Sequence, residues 1–185
     1  ELPVRQAVAN SVSEIPESFR APYETLLNDA SYNTQEVALF KLWKQFTDRR
    51  EFYMEASKDW VGFQNQNLKI LHLYLSFLTY SDTKKKMEVY LQLLQFTGTN
   101  FDSNVQQEAL ERLLQLEIHT EDVFRSLAYG TAHHRWQYVK FCKDSIRKLI
   151  EEPKNRALFI AIRSKLPIRE KTHLQRLLDE TKLGK

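Results

Sequence analysis

Cysteine, glycine and proline are all scarce in this chain of 185 residues, and each scarcity excludes a class of protein. The single cysteine, Cys142, cannot form an internal disulfide and excludes a zinc site built from several cysteines. Four glycines are too few for several phosphate-binding loops, and no Asn-Gly or Asp-Gly pair offers a tight hairpin turn. Helix-forming Leu, Lys, Glu and Gln fill the periodic segments instead. The composition therefore predicts an all-α protein.

A long hydrophobic run is also missing. The most apolar stretch, residues 68–80, contains Lys69 and His72 and is too short to span a membrane. No signal-peptide pattern opens the chain. We therefore expect a soluble protein without a membrane partner, in a compartment that the sequence leaves open. Because the chain starts at Glu1 without an initiator methionine, we expect it to be a fragment of a longer chain.

The chain does contain an internal repeat. The pattern Asn-x-Gln-x-x-Ala-Leu-x-x-Leu occupies residues 33–42 and recurs at residues 104–113, which is 71 residues later. Asn67 lies between the two copies, and a helical period of 20–50 residues is typical of an α-solenoid. We therefore predict a single helical-repeat domain over residues 1–185. It should be a right-handed, HEAT- or armadillo-like superhelix of about five antiparallel helix pairs.

Apolar spacing and capping residues place about ten helices along the chain. Pro22 predicts a kink or a late start in the second helix, and Gly62 predicts the end of another. A long helix is predicted over residues 132–151. The residues predicted to be buried are Leu39, Leu42, Trp43, Leu71, Leu94, Leu110, Leu113 and Leu178, with Ala38 and Ala109 at equivalent close-packing points.

Residue types that carry catalysis are present, but their spacing forms no recognisable site. No histidine is followed by glutamate, so the zinc-peptidase pattern H-E-x-x-H does not occur. If His133 and His134 are helical neighbours, they point about 100° apart and cannot easily share one ion. Cys142 would lie about two helical turns from this pair, too far for a nucleophile and its base. We therefore predict no catalytic, cofactor-binding or metal-binding residue in this chain, and a structural role for the cluster Glu117, His119 and Glu121.

Positive charge is concentrated at the C-terminal end. Residues 135–185 hold 14 Lys and Arg against 6 Asp and Glu, whereas residues 1–134 hold 13 against 18. Such asymmetry indicates an acidic partner surface for the basic part. On the long predicted helix, basic residues and one tryptophan share a face, which is either a partner-contact face or an ordinary solvated one. The predicted face consists of Trp136, Lys140, Lys143 and Arg147 and continues to Lys154 and Arg156.

The segment from Tyr23 to Leu42 resembles the C-terminal helical-repeat domain of aminopeptidase N-type zinc metallopeptidases, especially bacterial members. In that family a Leu-Leu-x-Asp-x-Ser-Tyr stretch, here residues 26–32, leads into a Glu-x-Ala-Leu helix, here residues 36–39. The stretch Asn67-Leu68-Lys69-Ile70 resembles the family's next repeat. The similarity extends from about Val4 to Ile150, on residues that HEAT and armadillo scaffolds partly share.

The resemblance implies a parent enzyme that removes N-terminal residues from peptides with a zinc-activated water. Its zinc ligands and catalytic glutamate belong to a separate domain before this one, so no catalytic residue is carried over. This part would cover the catalytic domain of the same parent chain, limit the access of long substrates and touch the far end of the peptide.

Two other classes of function stay open. A free-standing HEAT-type scaffold that binds protein partners fits the same repeats. A HEAT-like nucleic-acid binder, similar to the alkylpurine DNA glycosylases, is favoured only by the basic C-terminal end. The acidic first two-thirds of the chain count against nucleic acid.

Overall fold

The structure, a computed structural model, describes residues 2–60 and 66–183. It is built from helices without a strand in these two ranges, which confirms the predicted all-α class. Three short 3₁₀ turns, Glu17–Phe19, Thr25–Asn28 and Thr47–Arg49, connect helices near the beginning of the chain. The α-helices of the described ranges, numbered α1 to α11 in chain order, are Leu2–Ser11, Arg20–Glu24, Tyr32–Gln45, Arg50–Ser57, Asn67–Thr79, Thr83–Gln95, Ser103–Gln115, Glu121–Gly130, Trp136–Leu149, Pro153–Arg163 and Ile168–Leu183.

The chain divides into two compact units, residues 1–92 and residues 93–185. Each unit has its own central helix and its own buried side chains. The prediction of a single domain and the right-handed solenoid stacking of the helix pairs stay predictions.

Helix α3 is the centre of the first unit, where it contacts α1, α2, α4 and α5. Its inward residues Ala38, Leu39 and Leu42 are fully buried, as its i, i+4 apolar spacing predicts. Polar side chains also tie α1 to this centre. The Tyr23 hydroxyl donates to the carbonyl oxygen of Ala9 at 3.0 Å, and the Lys41 ammonium donates to the same oxygen at 2.7 Å. Lys41 thereby satisfies a carbonyl at the end of α1 that has no partner within the helix.

Helix α8 is the centre of the second unit, where it contacts α7, α9, α10 and α11. Phe124 of α8 stacks on Phe159 of α10 with ring centroids 4.3 Å apart, and both rings are fully buried. Val123 and Leu127, which lie near Phe124 in the sequence of α8, are also fully buried. Burying such aromatic and aliphatic side chains is the main favourable contribution to folding of this unit.

The helices that carry the two repeat copies are similar in their local structure. Ser31 caps α3, because its side chain accepts a hydrogen bond from the Thr34 N–H, and Asp102 caps α7 by accepting from the Asn104 N–H. The predicted burial of both alanines is confirmed, since Ala38 and Ala109 are both fully buried. The same holds for the leucines that follow them, Leu39, Leu42, Leu110 and Leu113.

The predicted burial of one core residue is wrong. Leu94 is only half-buried, and its neighbour Leu93 is fully buried instead. Successive residues of a helix point about 100° apart, and the buried side of α6 is the one with Val89 and Leu93, whereas Met87 and Leu91 are exposed. Trp43, Leu71 and Leu178 are buried as predicted.

The structure also changes the predicted bounds of two helices. The helix predicted over residues 132–151 begins only at Trp136, because residues 131–133 form turns that donate to the last carbonyls of α8. The segment around Pro22 is divided into a 3₁₀ turn, the short α2 and a second 3₁₀ turn, as expected for a proline near a helix start. The predicted helix end at Gly62 lies outside the described residues.

Candidate partner-contact surface

Helix α9 carries the predicted basic face, and its two sides differ sharply. Tyr138, Cys142 and Ile146 recur every four residues and are buried in the second unit. Trp136, Lys140 and Arg147 are exposed, so the predicted amphipathic division of this helix is present in the structure.

Trp136 is the first residue of α9 and is 71% exposed. A tryptophan side chain is large and apolar, and leaving it in water forfeits about 1.5–3 kcal/mol of burial free energy. Exposed aromatic residues beside cationic ones are typical of the energetic centres of protein interfaces. Trp136 is therefore the residue of this surface that most clearly lacks a packing role within the chain.

The cations that follow Trp136 are largely neutralised by acidic neighbours. The Lys140 ammonium contacts the Asp144 carboxylate at 2.8 Å, and Arg147 contacts Asp144 at 3.0 Å. Arg147 also reaches Glu180 of α11 at 3.1 Å. The hydrogen bond from Lys140, followed by the effect of Arg147, lowers the pKa of the Asp144 carboxyl, which keeps this group ionised. The electrostatic field of the face is weaker than the sequence count indicates.

Two further members of the predicted face lie in different surroundings. Lys143 is half-buried, and among the described residues no acidic group pairs with it. Arg156 is half-buried on α10, where its guanidinium donates to the carbonyl oxygen of Leu178 at 2.6 Å. Arg156 thus fastens α10 to α11. The structure places Trp136, Lys140, Lys143 and Arg147 together on α9 and gives Arg156 a structural contact.

The geometry assumed for His133 and His134 is wrong. They lie in the turn before α9 rather than within a helix, and their ring centroids are only 4.1 Å apart. His133 accepts a hydrogen bond from the Arg135 N–H through Nδ1, and burial lowers its pKa. Within residues 2–60 and 66–183, no group of three or more His, Cys, Asp or Glu side chains could hold a metal ion.

The Cys142 thiol is fully buried in the second unit. Burial raises its pKa to about 12, so the thiol stays protonated at neutral pH despite a hydrogen bond with Tyr138. Gly130 lies against it, because a Cβ built on this glycine would come within 2.3 Å of the Cys142 Sγ. Cys142 is therefore packed as a small apolar side chain at a close helix contact.

The acidic and histidine residues near the end of α7 take separate structural roles. Glu117 adopts a left-handed backbone with φ of 55°, and the Ile118 N–H closes the helix end on the Leu113 carbonyl. Glu121 pairs with Lys165 at 2.9 Å, and hydrogen bonds from Lys165 and Arg125 lower its pKa. The His119 ring packs near Phe124 with centroids 5.8 Å apart.

The sequence patterns did not reveal a buried polar cluster in the first unit. The Nδ1 atom of His72 lies 2.8 Å from the Ser57 hydroxyl, and its Nε2 atom lies 3.4 Å from the Ser76 hydroxyl. The Ser57 hydroxyl also lies 2.8 Å from the Tyr53 carbonyl oxygen, which can accept its proton. Burial lowers the pKa of His72 to about 4, with a smaller contribution from Lys69.

A second basic surface was also missed as a candidate site. Arg163, Lys171 and Arg176 line one cavity between the end of α10 and the beginning of α11. The sequence shows these cations as outward positions on helices, but their convergence depends on how α10 and α11 pack. No periodicity or motif would have signalled this convergence.

Comparison of the chain with protein-family models, with curated proteins and with solved structures finds no match. Among the helices of the described ranges, none has both the length and the apolar character that crossing a bilayer requires.

Proposed function

We propose that this chain is a non-catalytic helical domain that binds an acidic protein surface. Its natural setting would be the one that the resemblance implies, the C-terminal helical-repeat domain of an aminopeptidase N-type zinc peptidase. There it would cover the catalytic domain and shape the access of peptide substrates. The observation that carries the proposal is the exposed Trp136 at the start of a basic helix whose other side is buried.

The partner's acidic character follows from charge. Trp136, Lys140 and Lys143 lie on the outer part of α9, and the C-terminal part of the chain carries a large excess of positive charge. An apolar anchor with cations around it favours a partner that combines an apolar pocket with carboxylates. Because Asp144 and Glu180 already neutralise part of the face, steering is modest and Trp136 supplies most of the affinity.

The non-catalytic part of the proposal is supported by what the reactive side chains do. The Cys142 thiol is buried with a raised pKa, and His72 is buried with a lowered one. His72 forms a hydrogen bond with the buried Ser57, whose hydroxyl also lies 2.8 Å from the Tyr53 carbonyl oxygen. The groups best suited to nucleophilic chemistry therefore serve packing and hydrogen bonding.

The residues that carry the family resemblance build one corner of the first unit. Asp29 accepts a hydrogen bond from the Ser31 N–H at 2.8 Å and forms an ion pair with Arg5 of α1. Ser31 caps α3, and Leu26 and Leu27 are buried just before it. This stretch caps α3 and connects it to α1. Such a structural role suits the helical-repeat domain that the resemblance implies, and it supports the proposed setting.

Two measurements test this proposal. The reading frame upstream of Glu1 should encode H-E-x-x-H followed by a distant glutamate, and a start codon close to Glu1 would contradict the peptidase setting. The separately produced upstream segment should then bind this chain in isothermal titration calorimetry. Changing Trp136→Ala together with Lys140→Glu should weaken that binding by at least about tenfold.

The matched control for this experiment is Lys154→Glu. Lys154 is exposed on α10, and no ion pair involving it occurs in the described part of the chain. This variant makes the same charge change on α10 instead of α9 and should bind almost normally. Equal weakening by both variants would show general charge attraction and would contradict a specific face.

A free-standing protein-binding scaffold is the second candidate, and one observation favours it. Met87 and Leu91 lie one turn apart on α6 and are 53% and 50% exposed. Neighbouring large apolar side chains on one helix face are typical of interaction sites. A start codon near Glu1, together with binding to a protein partner that Leu91→Ser abolishes, would favour this alternative.

A further inference from the structure

We propose that the cavity between α10 and α11 binds a carboxylate of the acidic protein partner. The cavity has a volume of about 370 Å³ and is lined by Arg163, Ile168, Lys171, Thr172, Gln175 and Arg176. The inference rests on the proposed function because it takes an acidic protein surface as the partner. It places the main anionic contact on α10 and α11 instead of on α9.

The three cations of this cavity differ from those of α9 in having no acidic partner. Across the described ranges, the ion pairs involve neither Arg163, Lys171 nor Arg176, whereas Lys140 and Arg147 are both paired. Three positive charges around one cavity that are not held in ion pairs repel each other and attract an anion. Arginine in particular suits a carboxylate, because its planar guanidinium can donate two parallel hydrogen bonds.

Two residues that line the cavity each have a buried polar atom without a hydrogen-bond partner. The Arg163 Nε is buried without a hydrogen-bond acceptor, and the Gln175 Oε1 is buried without a donor. The Gln175 amide nitrogen is already used, since it donates to Asp179 at 2.9 Å. A buried polar group without a partner costs about 1–3 kcal/mol. Solvent does not reach either atom, so a ligand can satisfy both only when the two side chains turn towards it. Such a ligand must offer an anionic acceptor and a hydrogen-bond donor together.

A peptide segment with an aspartate or glutamate meets both requirements. Its carboxylate accepts from Arg163 while a backbone N–H donates to the Gln175 Oε1. A bare phosphate diester has no such donor, which favours protein over nucleic acid as the partner. Ile168 is 85% exposed at the rim of the cavity and offers apolar contact to a neighbouring side chain of the segment. The geometry therefore fits an acidic segment that also carries an apolar residue.

The test uses a labelled peptide of alternating Glu and Leu with both ends blocked, so that only side chains and backbone groups can bind. Fluorescence anisotropy at low salt should show binding at least about tenfold tighter than that of the matching Gln and Leu peptide. Arg163→Gln should weaken binding of the acidic peptide about fivefold or more. Lys154→Gln, on the same helix, should change the affinity less than about twofold. If Arg163→Gln disturbs folding by circular dichroism, the exposed Arg176→Gln replaces it with the same expectation.

Several outcomes would overturn the inference. They are absence of peptide binding, equal binding of the Glu and Gln peptides, and equal effects of Arg163→Gln and Lys154→Gln. Duplex DNA that binds more tightly than the peptide, and loses binding in Arg163→Gln, would assign the cavity to a nucleic-acid backbone. Peptide binding that Trp136→Ala with Lys140→Glu abolishes, and that Arg163→Gln leaves intact, would overturn the cavity while the proposed function stands.

Discussion

At the scale of single residues, His72 shows how an ordinary titratable group becomes part of a core. It is buried in α5 between the hydroxyls of Ser57 and Ser76, and burial lowers its pKa from about 6.5 to about 4. The ring is therefore neutral at neutral pH and serves as a hydrogen-bonding spacer. Its protonation would place a charge in the core of the first unit, where solvation is lost.

This lowered pKa predicts how stability changes with pH. Between pH 6.5 and pH 4 the unfolded chain binds a proton at His72 and the folded chain does not. Stability from this residue is therefore fully present above pH 6.5, falls as the pH drops, and levels off below pH 4. Between pH 7 and pH 5 we expect a loss of about 2 kcal/mol in the free energy of unfolding. Urea denaturation at pH 7 and at pH 5 measures this difference in the free energy of unfolding.

A matched pair of variants isolates the histidine from the carboxyl groups that also titrate in acid. His72→Gln keeps a hydrogen-bond donor and an acceptor but does not titrate. Between pH 7 and pH 5 the variant should therefore lose about 2 kcal/mol less free energy of unfolding than the unchanged protein. His134→Gln, at an exposed position, should behave like the unchanged protein. An identical pH response in His72→Gln and the unchanged protein would contradict the buried, neutral histidine.

At the scale of helices, the two alanines of the repeat are the positions predicted to lie at close-packing points. Ala38 of α3 and Ala109 of α7 are both fully buried. A larger side chain at either position should overpack its surroundings and destabilise the chain by about 1–3 kcal/mol. Ala109→Leu and Ala38→Leu are therefore expected to lower the free energy of unfolding by similar amounts, whereas Ala161→Leu at an exposed position of α10 should change it little. A neutral Ala109→Leu would contradict close packing at this position of the repeat.

Most helices of the structure follow from local sequence signals. The apolar spacing of residues 39–43 places α3, and Asp102 caps α7 as its side-chain chemistry requires. The start of α9 was predicted too early, because residues 131–133 are drawn into turns at the end of α8. The exchange of Leu94 for Leu93 depends on the rotation of α6, which its neighbours set.

The candidate surface was predictable only in part, because several of its contacts join residues that are far apart in the sequence. The shared face of Trp136, Lys140 and Arg147 follows from helical spacing alone. The pairing of Arg147 with Glu180, 33 residues later, and the contact of Arg156 with Leu178 depend on helix packing. So do the convergence of the α10 and α11 cations and the meeting of Ser57 with His72.

At the scale of the whole molecule, the chain forms two helical units in which the buried Cys142 and His72 are used for packing and hydrogen bonding. The C-terminal unit carries an exposed Trp136, a partly neutralised helix face and a cavity with unpaired cations. These features suit a domain that contacts another protein surface. The proposed peptidase setting would place the chemistry in a different part of the parent protein.

The most direct test of this central claim is a joint measurement of zinc content and aminoacyl hydrolysis on the purified chain. Catalytic zinc needs about three converging protein ligands and an open position for water. The account predicts zinc far below one ion per chain and no turnover of fluorogenic aminoacyl substrates, even with added zinc. About one zinc ion per chain, with turnover that a chelator abolishes, would contradict it and would make this chain an enzyme in its own right.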